Sequence, residues 1–359
     1  MRRVTNTPKR YKGLSDYAEQ IEHILPEAMT SFERALPEIS NRGAWALDQI
    51  KDYGSRPSKR VRGSLAAAAY DVAKGTHLSR QGLLLGAAIE LIQNHLLIVD
   101  DVIDQSVSRR GEPTVHMSYK AATESDDWRA NMMGVLVGLL PAYMAEYMVA
   151  LIEEAPERLV AVQRLIALDV AITDIGQIDD IEQQFGNKVS REDLLRRHEQ
   201  KSSYYSFVNP ITCGLVLGGV DETLARRDAE HFGRPAGVAF QLRDDYLGVF
   251  GDTKQTGKPN LDDLREGKYT LMVHLAEQSA TPDEIVTLES ILGNPSAGED
   301  ELGQLQEIIT RTGAATDAMG IAQEYGRQAI EAAKNATAWN NNFANMLGQL
   351  VTFSLERNA

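Results

Sequence analysis

The chain has 359 residues, of which 43% are hydrophobic and 25% are charged, and this composition excludes a disordered or low-complexity protein. A single cysteine, Cys213, excludes an internal disulfide framework, and we expect it to be a small buried residue. The net charge of −14 argues against nucleic-acid binding, which would need a basic face. It does not exclude an anionic substrate, because metal ions reverse the local field.

The first residues contain basic side chains but no apolar segment behind them, so we predict no signal peptide and a frayed arm over residues 1–10. Length alone would allow more than one domain, but no long polar linker or internal repeat interrupts residues 11–359, for which we predict a single domain. The stretch Met132 to Ile152 could span a membrane by length, but Pro141 and Glu146 interrupt it, and we find no second such stretch. We therefore predict a buried helix pair broken near Pro141, no membrane span and a cytoplasmic location.

Apolar residues recur at helical spacing through nearly the whole chain. One stripe runs from Leu84 to Val99 at intervals of three and four residues, and residues 314–355 show similar spacing. We find no run of alternating β-branched residues bounded by hairpin turns. Clusters of Gly, Pro and Asn mark short connections at residues 54–58, 74–76, 110–113, 218–221, 251–260 and 293–298. The sequence therefore predicts an all-α fold, a single large helical bundle.

An aspartate cluster ends the apolar run at residues 96–104, which read Leu-Leu-Ile-Val-Asp-Asp-Val-Ile-Asp. Burial of such charges is costly unless something compensates them. On a helix, Asp100 and Asp104 lie one turn apart on the same face, where like charges repel. Taken alone, this motif is more often a solvated helix end than a functional site.

A second cluster places Asp244 and Asp245 among the apolar residues of segment 240–252. Oxygen ligands with no nearby His or Cys suit a hard cation such as Mg²⁺, which commonly bridges a few carboxylates to substrate phosphates. Two such clusters facing one cavity would form a diphosphate site. Basic residues that suit phosphate recognition surround both clusters, although each one alone would be a solvated surface charge. They are Lys59, Arg62, Arg109, Arg110, Lys201, Lys258 and Lys268.

These motifs resemble, in order, those of the trans-isoprenyl diphosphate synthases, the polyprenyl synthetase family. Residues 59–62 resemble the family's GKxxR motif, and residues 176–180 its GQxxD. Residues 100–104 and 240–245 resemble its two aspartate-rich motifs, and residues 201–202 its Lys-Thr pair. The sequences of residues 247–252 and 262–268 are similar to those of actinobacterial members.

The chain also departs from the family pattern at several positions. Ser58 stands where a glycine usually precedes the lysine, and Val99 replaces a common histidine before the first aspartate pair. Leu139 follows Gly138 where the family usually has Gly-Asp. Gly248 stands where a third aspartate often follows the second pair, and the sequence leaves open whether Asp252 replaces it.

The resemblance implies an all-α fold around a central cavity, a homodimer and two substrates, an allylic diphosphate and isopentenyl diphosphate. It implies Mg²⁺ as the cofactor, with three ions per active site, and aspartates as the metal ligands. The implied ligands are Asp100, Asp104 and Asp244, with Asp101 and Asp245 in support and Lys201 completing the catalytic set. The side chains that would hold the allylic diphosphate are Arg109, Lys201, Ser202, Gln241, Lys258 and Lys268. Those that would hold isopentenyl diphosphate are Lys59, Arg62, Gln93 and Arg110.

The spacing gives Gln93 independent support, since it lies about two helical turns before Asp100 on the same face. In the family, bulk just before the first aspartate motif limits product length, and His95 and Leu96 stand there. The His95 side chain is of middling size and favours a short product. We expect geranylgeranyl diphosphate first and farnesyl diphosphate second, with longer polyprenyl products as the alternative. His95 could instead be a satisfied core histidine.

Two other functions compete with this interpretation. A class I terpene cyclase would usually lack the Lys59 and Arg62 site and the second aspartate pair. A non-catalytic partner subunit would generally have lost motif aspartates. Both pairs are present here.

Overall fold

The computed structural model of the protein describes residues 11–184, 189–251 and 260–357. The predicted all-α fold is confirmed, because nearly all of the described elements are helices. The exception is an antiparallel ribbon of β1 (Ser108–Arg109) and β2 (Glu112–Pro113), which the sequence did not predict. Arg110 and Gly111 turn the chain between these strands with positive φ values of 56° and 78°. The predicted arm over residues 1–10 lies outside the described residues.

The chain divides into two compact units. The first comprises Met1–Ala167, Asn209–Arg227 and Thr337–Phe343. A 3₁₀ turn, Lys12–Leu14, precedes its helices. They are α1 (Ser15–Ala35), α2 (Asn41–Ser55), α3 (Val61–Lys74), α4 (Arg80–Ile103), α5 (Val115–Thr123), α6 (Asp127–Ala150) and α9 (Asn209–Gly218). Helices α7 (Pro156–Gln184) and α10 (Glu222–Phe250) begin in this unit and continue in the second.

The second unit comprises Leu168–Val208, Asp228–Ala336 and Ala344–Ala359. Besides the later parts of α7 and α10 it contains α8 and a π-helical segment, followed by the helices of the C-terminal region. These elements are α8 (Arg191–His198), the π segment (Glu199–Val208), α11 (Asn260–Arg265), α12 (Leu271–Glu277), α13 (Pro282–Ile291), α14 (Glu299–Arg311), α15 (Ala314–Asn335) and most of α16 (Asn341–Glu356). The single domain over residues 11–359 stays a prediction.

Helix α4 carries the predicted apolar stripe and packs against α3 and α6. Its first turn is capped by Ser79, whose hydroxyl accepts a hydrogen bond from the backbone N–H of Gly82. Two glycines let α3 and α4 approach closely, since a Cβ on Gly63 would lie 2.5 Å from the carbonyl oxygen of Gly86. Cys213, on α9, is fully buried, as predicted.

Helix α6 runs without interruption from Asp127 to Ala150, so the predicted break near Pro141 is wrong. Pro141 is buried inside the helix, and packing of α6 against α4 compensates for the backbone hydrogen bond that proline cannot make. That packing is close, because a Cβ on Gly138 would lie 2.9 Å from Cγ2 of Val99. The prediction of one membrane-length stretch is also wrong, since α4 and α6 both meet that criterion by length and composition. Core helices meet it equally well, and the apolar window of α4 is 72% buried. The window of α6 is only 44% buried, so this helix is less buried than predicted.

Two apolar clusters hold the second unit together. Leu264, Met272, Leu288 and Ile309 belong to a core formed by α11 to α14. Leu242 of α10 belongs to another, which it shares with buried residues of α8, α12 and α15. This second cluster fixes the part of α10 that carries the second aspartate pair.

Candidate active site

The first aspartate motif lies at the C-terminal end of α4. Asp104 caps the helix, and its backbone N–H donates to the carbonyl oxygen of Asp100 at 2.8 Å. Asp101 is only 1% exposed, and its carboxylate accepts hydrogen bonds from Arg109 Nε and, at 3.0 Å, from the Tyr53 hydroxyl. The Asp100 side chain is 24% exposed, and its Oδ2 lies 3.5 Å from Arg109 Nη2. Asp101 is therefore held by the protein, whereas Asp100 is accessible to a ligand.

Burial affects the pKa values of Asp101 and of the two residues that bind it, Arg109 and Tyr53. Burial raises the pKa of Asp101, and the adjacent Arg109 guanidinium opposes that rise. Burial by itself would lower the pKa of Arg109, but its neighbours, among them the carboxylates of Asp101 and Asp100, leave that pKa raised. Burial also raises the pKa of Tyr53, so its hydroxyl stays protonated and donates to Asp101. Arg109 is thus a permanent cation beside the motif.

The residues predicted to hold isopentenyl diphosphate also lie in the first unit. Lys59 and Arg62 flank the start of α3, and Gln93 lies on α4; all three are half-buried. Arg110 lies in the turn of the β-ribbon, with its guanidinium carbon 6.0 Å from the ring centroid of Tyr53. Its Nη1 is buried and has no hydrogen-bond partner within the described part of the chain. An anionic ligand would satisfy this donor.

The two residues predicted to limit product length precede the first motif on α4. His95 donates a hydrogen bond from Nδ1 to the carbonyl oxygen of Gly138 on α6, at 2.7 Å. Leu96 is half-buried. The hydrogen bond fixes the His95 ring, as expected both for the floor of a tunnel and for a satisfied core histidine.

The second aspartate pair, on α10, repeats the contrast between a buried and an exposed carboxylate. Asp245 is 9% exposed, and its Oδ1 accepts a hydrogen bond from Gln241 Nε2 at 2.9 Å. Gln241 Oε1 in turn accepts from the Ser202 hydroxyl at 2.7 Å. The Asp244 side chain is 37% exposed and contacts the Arg357 guanidinium, which lies 4.3 Å from the Phe240 ring centroid. Asp244 is the accessible member of this pair.

Behind Asp245 lies a buried histidine. His198 Nε2 is 3.4 Å from Asp245 Oδ2, but the geometry does not make a hydrogen bond. Burial raises the pKa of Asp245 to about 6 and lowers the pKa of His198 to about 3. Burial disfavours charge on both groups, so this contact is a weak one between a neutral imidazole and a carboxyl group of raised pKa.

Lys201 and Ser202 lie in the π-helical segment, next to the mid-chain motif on α7. Lys201 Nζ is 2.6 Å from Asp180 Oδ2, and Arg197 Nη1 is 2.8 Å from Asp180 Oδ1. Burial would raise the pKa of Asp180, but the two cations leave it lowered. A Cβ on Gly176 would lie 2.6 Å from the backbone nitrogen of Lys201. The glycine of the motif thus allows the close approach, and the aspartate one turn later orients the lysine.

Lys268 is held by two carboxylates, Asp263 Oδ1 at 2.8 Å and Glu266 Oε2 at 3.3 Å. Asp263 also bears on the missing third aspartate, because its Oδ2 occupies the space that a Cβ on Gly248 would need. Lys258 lies outside the described residues, and so does Asp252, for which the sequence left open whether it replaces that aspartate.

The donors fit Mg²⁺ bound together with a substrate. Across residues 11–184, 189–251 and 260–357, no three His, Cys, Asp or Glu side chains gather into a complete metal site. Mg²⁺ does not need one, since it keeps several waters and takes one or two carboxylates plus substrate phosphates. The partly exposed carboxylates of Asp100 and Asp244 are donors of this kind.

Sequence reasoning missed several residues that contact the motifs. Tyr53 and Arg357 stand outside every motif, and no signal in the sequence indicates them. Glu90, which contacts the start of α3, interrupts the apolar stripe of α4, and a lone carboxylate in such a stripe could have signalled a buried partner.

Comparisons with known proteins identify the family of this chain. A model of the family described as polyprenyl synthetase matches residues 44–309. A geranylgeranyl diphosphate synthase of Mycobacterium tuberculosis is 32% identical over 265 residues, 71% of this chain and 69% of that protein. A farnesyl pyrophosphate synthase of Nezara viridula is 28% identical over 283 residues, and the match spans 76% of this chain but only 66% of that protein.

The fold is similar to solved structures of the same kind. The crystal structure of a geranylgeranyl pyrophosphate synthase from Corynebacterium glutamicum, complexed with isoprenyl diphosphate and magnesium, matches with a TM-score of 0.88 at 27% identity. The match covers 96% of this chain and 99% of that one. The resemblance and the fold predicted from the sequence are confirmed, and the named relatives are prenyltransferases, as predicted.

Proposed function

Because the chain belongs to the polyprenyl synthetase family, we propose that it is a short-chain trans-prenyltransferase that condenses an allylic diphosphate with isopentenyl diphosphate. The observation that carries this proposal is the common design of the two aspartate pairs. Each pair joins a buried carboxylate held by hydrogen bonds, Asp101 or Asp245, to an accessible one, Asp100 or Asp244. A non-catalytic subunit would have no need to keep both.

The accessible aspartates are the metal ligands in this proposal. Asp100, Asp104 and Asp244 would hold Mg²⁺, three ions per active site, together with the allylic diphosphate, and Asp101 and Asp245 would support them. Bound Mg²⁺ would neutralise the negative charge that develops on the departing diphosphate. The buried aspartates orient the chain around these ligands, as Asp101 does by holding Arg109.

Cations and hydrogen-bond donors hold the same diphosphate. In this assignment Asp180 orients Lys201 towards the leaving group, and the Ser202–Gln241–Asp245 chain of hydrogen bonds orders the amide and hydroxyl donors. Such preorganised donors stabilise charge on the leaving oxygen. The assigned residues are Arg109, Lys201, Ser202, Gln241, Lys258 and Lys268.

The second substrate depends on cations without metal. Isopentenyl diphosphate would be held by Lys59, Arg62, Gln93 and Arg110. The buried Nη1 of Arg110, which has no hydrogen-bond partner among the described residues, supports this assignment. The allylic carbon–oxygen bond breaks, and the double bond of isopentenyl diphosphate attacks the allylic cation to form a carbon–carbon bond. The carbocation that this attack forms loses a proton to the released diphosphate and becomes the product. No protein nucleophile is required.

We propose geranylgeranyl diphosphate as the main product, with farnesyl or longer polyprenyl diphosphates as alternatives. His95 and Leu96 set the limit in this proposal. The hydrogen bond from His95 to Gly138 supports a rigid limit, because it prevents the ring from swinging aside.

We propose that the enzyme is a cytoplasmic homodimer and that α6 forms its interface. Large apolar side chains recur along one face of this helix at spacings of three and four residues. They are Trp128, Met132, Leu136, Leu139 and Tyr143, and they are 37–72% exposed. A second copy would bury this face symmetrically. Leu136→Glu should shift the protein to a monomer in light scattering, whereas Val286→Glu, the same kind of change at an exposed apolar side chain of α13, should leave the dimer intact.

Product analysis tests the reaction. The purified protein is incubated with Mg²⁺, labelled isopentenyl diphosphate and each allylic starter in turn (dimethylallyl, geranyl or farnesyl diphosphate), and the products are sized. We expect elongated diphosphates that stop at a defined length. Release of diphosphate without isopentenyl diphosphate would indicate a terpene cyclase, and no release at all would indicate a partner subunit.

A further inference from the structure

The start of α3 is held by a carboxylate from another helix. Glu90, on α4, is 1% exposed, and its Oε1 accepts a hydrogen bond from the backbone N–H of Gly63 at 3.0 Å. Its Oε2 accepts from Arg60 Nη1 at 3.2 Å. Gly63 is in the first turn of α3, and the residue before that helix, Arg60, makes no side-chain cap. The Glu90 side chain therefore caps the N-terminus of α3 from a neighbouring helix, at an end where negative charge is favoured.

Arg60 adopts a backbone conformation that needs such support. Its φ of 52° and ψ of 31° are left-handed, which is uncommon for a residue with a side chain. The residue is 3% exposed, and its guanidinium also donates to the carbonyl oxygen of Gly54. Conformations of this kind persist where surrounding contacts determine them. Glu90 and the Gly54 carbonyl thus keep the turn between α2 and α3 in one geometry.

That turn carries two of the cations assigned to isopentenyl diphosphate. Lys59 directly precedes Arg60, and Arg62 follows it by two residues. Gln93, assigned to the same ligand, lies one helical turn after Glu90. One carboxylate therefore connects the element that bears Lys59 and Arg62 with the element that bears Gln93.

The packing around this carboxylate leaves little freedom. A Cβ on Gly63 would lie 2.8 Å from Glu90 Cγ, so α3 and α4 touch at this residue. Glu90 also acts on the third cation assigned to this substrate, Arg110. Burial lowers the pKa of Arg110, and the Arg60 guanidinium acts in the same direction, whereas Glu90 opposes both. Loss of the carboxylate would leave Arg60 with the more distant Glu22 carboxylate, 3.8 Å from its Nε, and would remove the negative charge that offsets the effect of Arg60 on Arg110.

We propose that Glu90 is a positioning residue for the isopentenyl diphosphate site, acting on Lys59 and Arg62 through the first turn of α3. This inference rests on the proposed function. Glu90 does not touch the substrate in this assignment, so its loss should weaken one substrate selectively and leave the chemical step intact.

The test measures isopentenyl diphosphate binding by calorimetry in EDTA, where no metal contributes, together with steady-state kinetics in Mg²⁺. Glu90→Gln keeps the shape of the side chain but removes its charge and turns an amide N–H₂ towards one of the two donors. We expect binding of isopentenyl diphosphate to weaken about tenfold and its KM to rise by about the same factor, since a charged buried hydrogen bond is lost. The KM for the allylic substrate and kcat should stay within about twofold of wild type, because that substrate depends on metal. Lys59→Ala and Arg62→Ala should show the same selectivity.

Asp71→Asn is the matched control. Asp71 is a buried carboxylate near the other end of α3, where it accepts hydrogen bonds from Tyr17 at 3.0 Å and Thr76 at 2.8 Å. Its loss should lower the melting temperature without changing isopentenyl diphosphate binding. If Glu90→Gln does not fold, Glu90→Asp keeps the charge but is too short to meet both donors, and it should show the same selectivity to a smaller degree.

Three outcomes would overturn the role of Glu90. They are unchanged isopentenyl diphosphate binding in the Glu90 variants, equal losses for both substrates, or an equal loss of binding in Asp71→Asn. A wild-type protein that binds no isopentenyl diphosphate would instead overturn the proposed function, and the role of Glu90 with it.

Discussion

Asp263 places a carboxylate oxygen where a side chain on Gly248 would begin. A side chain at residue 248 would therefore have to displace the Asp263 carboxylate, whose other oxygen contacts Lys268. The absence of a side chain at Gly248 leaves room for the Asp263 carboxylate.

Gly248→Asp should accordingly destabilise the protein. Overpacking of this kind costs about 1–3 kcal/mol, which thermal or denaturant unfolding would detect. Gly303→Asp is the matched control, since the space around a Cβ at that helical glycine is open. The double variant Gly248→Asp with Asp263→Ala should recover part of the loss. Equal stability of the two single glycine variants would contradict this account.

Asp180→Asn should impair both stability and the use of the allylic substrate. The change leaves Lys201 and Arg197 without their shared carboxylate, and breaking a buried ion pair costs about 3 kcal/mol or more. We expect the KM for the allylic diphosphate to rise, because Lys201 loses its orientation, while the KM for isopentenyl diphosphate changes less.

The pH dependence of that stability has a definite sign. The folded protein holds the pKa of Asp180 below its ordinary value of 3.8, so the unfolded chain binds the proton more readily. The stabilisation is complete above the unfolded value and is lost as the pH falls through the lower folded value. The difference in unfolding free energy between wild type and Asp180→Asn should therefore be constant near neutral pH and shrink below about pH 4. A difference that grows in acid would contradict the assignment.

Turnover should require a divalent cation. Asp100→Asn and Asp244→Asn should each lower kcat by orders of magnitude, because they remove stabilisation of the departing diphosphate. Direct titration with Mn²⁺ in the presence of diphosphate should show weaker metal binding in both variants. Asp283→Asn, on the exposed first turn of α13, should behave as wild type. Full activity in a chelator, or near-normal turnover of both active-site variants, would disprove the metal assignment.

His95→Ala should lengthen the products in steps of five carbons. The change removes both the ring and its hydrogen bond to the Gly138 carbonyl, which opens space before the first aspartate motif. Product size is measured with saturating isopentenyl diphosphate, and His77→Ala, at an exposed residue, serves as the control. An unchanged product distribution would leave His95 as a satisfied core histidine and place the limit elsewhere.

Residue patterns along the chain were enough to predict the all-α fold, the two aspartate motifs and the family. Helical periodicity and motif spacing are local properties, and the chemistry of oxygen ligands and phosphate-binding cations depends on residue type. The sequence also identified the buried state of Cys213. The helix break predicted near Pro141 was wrong, because tertiary packing overrode the low helix propensity of proline. Helix α6 continues through this residue and packs against α4.

Residue patterns did not predict which carboxylate of each aspartate pair is buried or which partners hold it, because both depend on tertiary packing. Asp101 is fixed by Tyr53 from α2, Lys201 by Asp180 from α7, and the start of α3 by Glu90 from α4. Each of these contacts joins residues at least 21 positions apart in the chain, so no local pattern encodes it. Burial changes both the ionisation and the accessibility of a carboxylate, and burial is set by which helices meet.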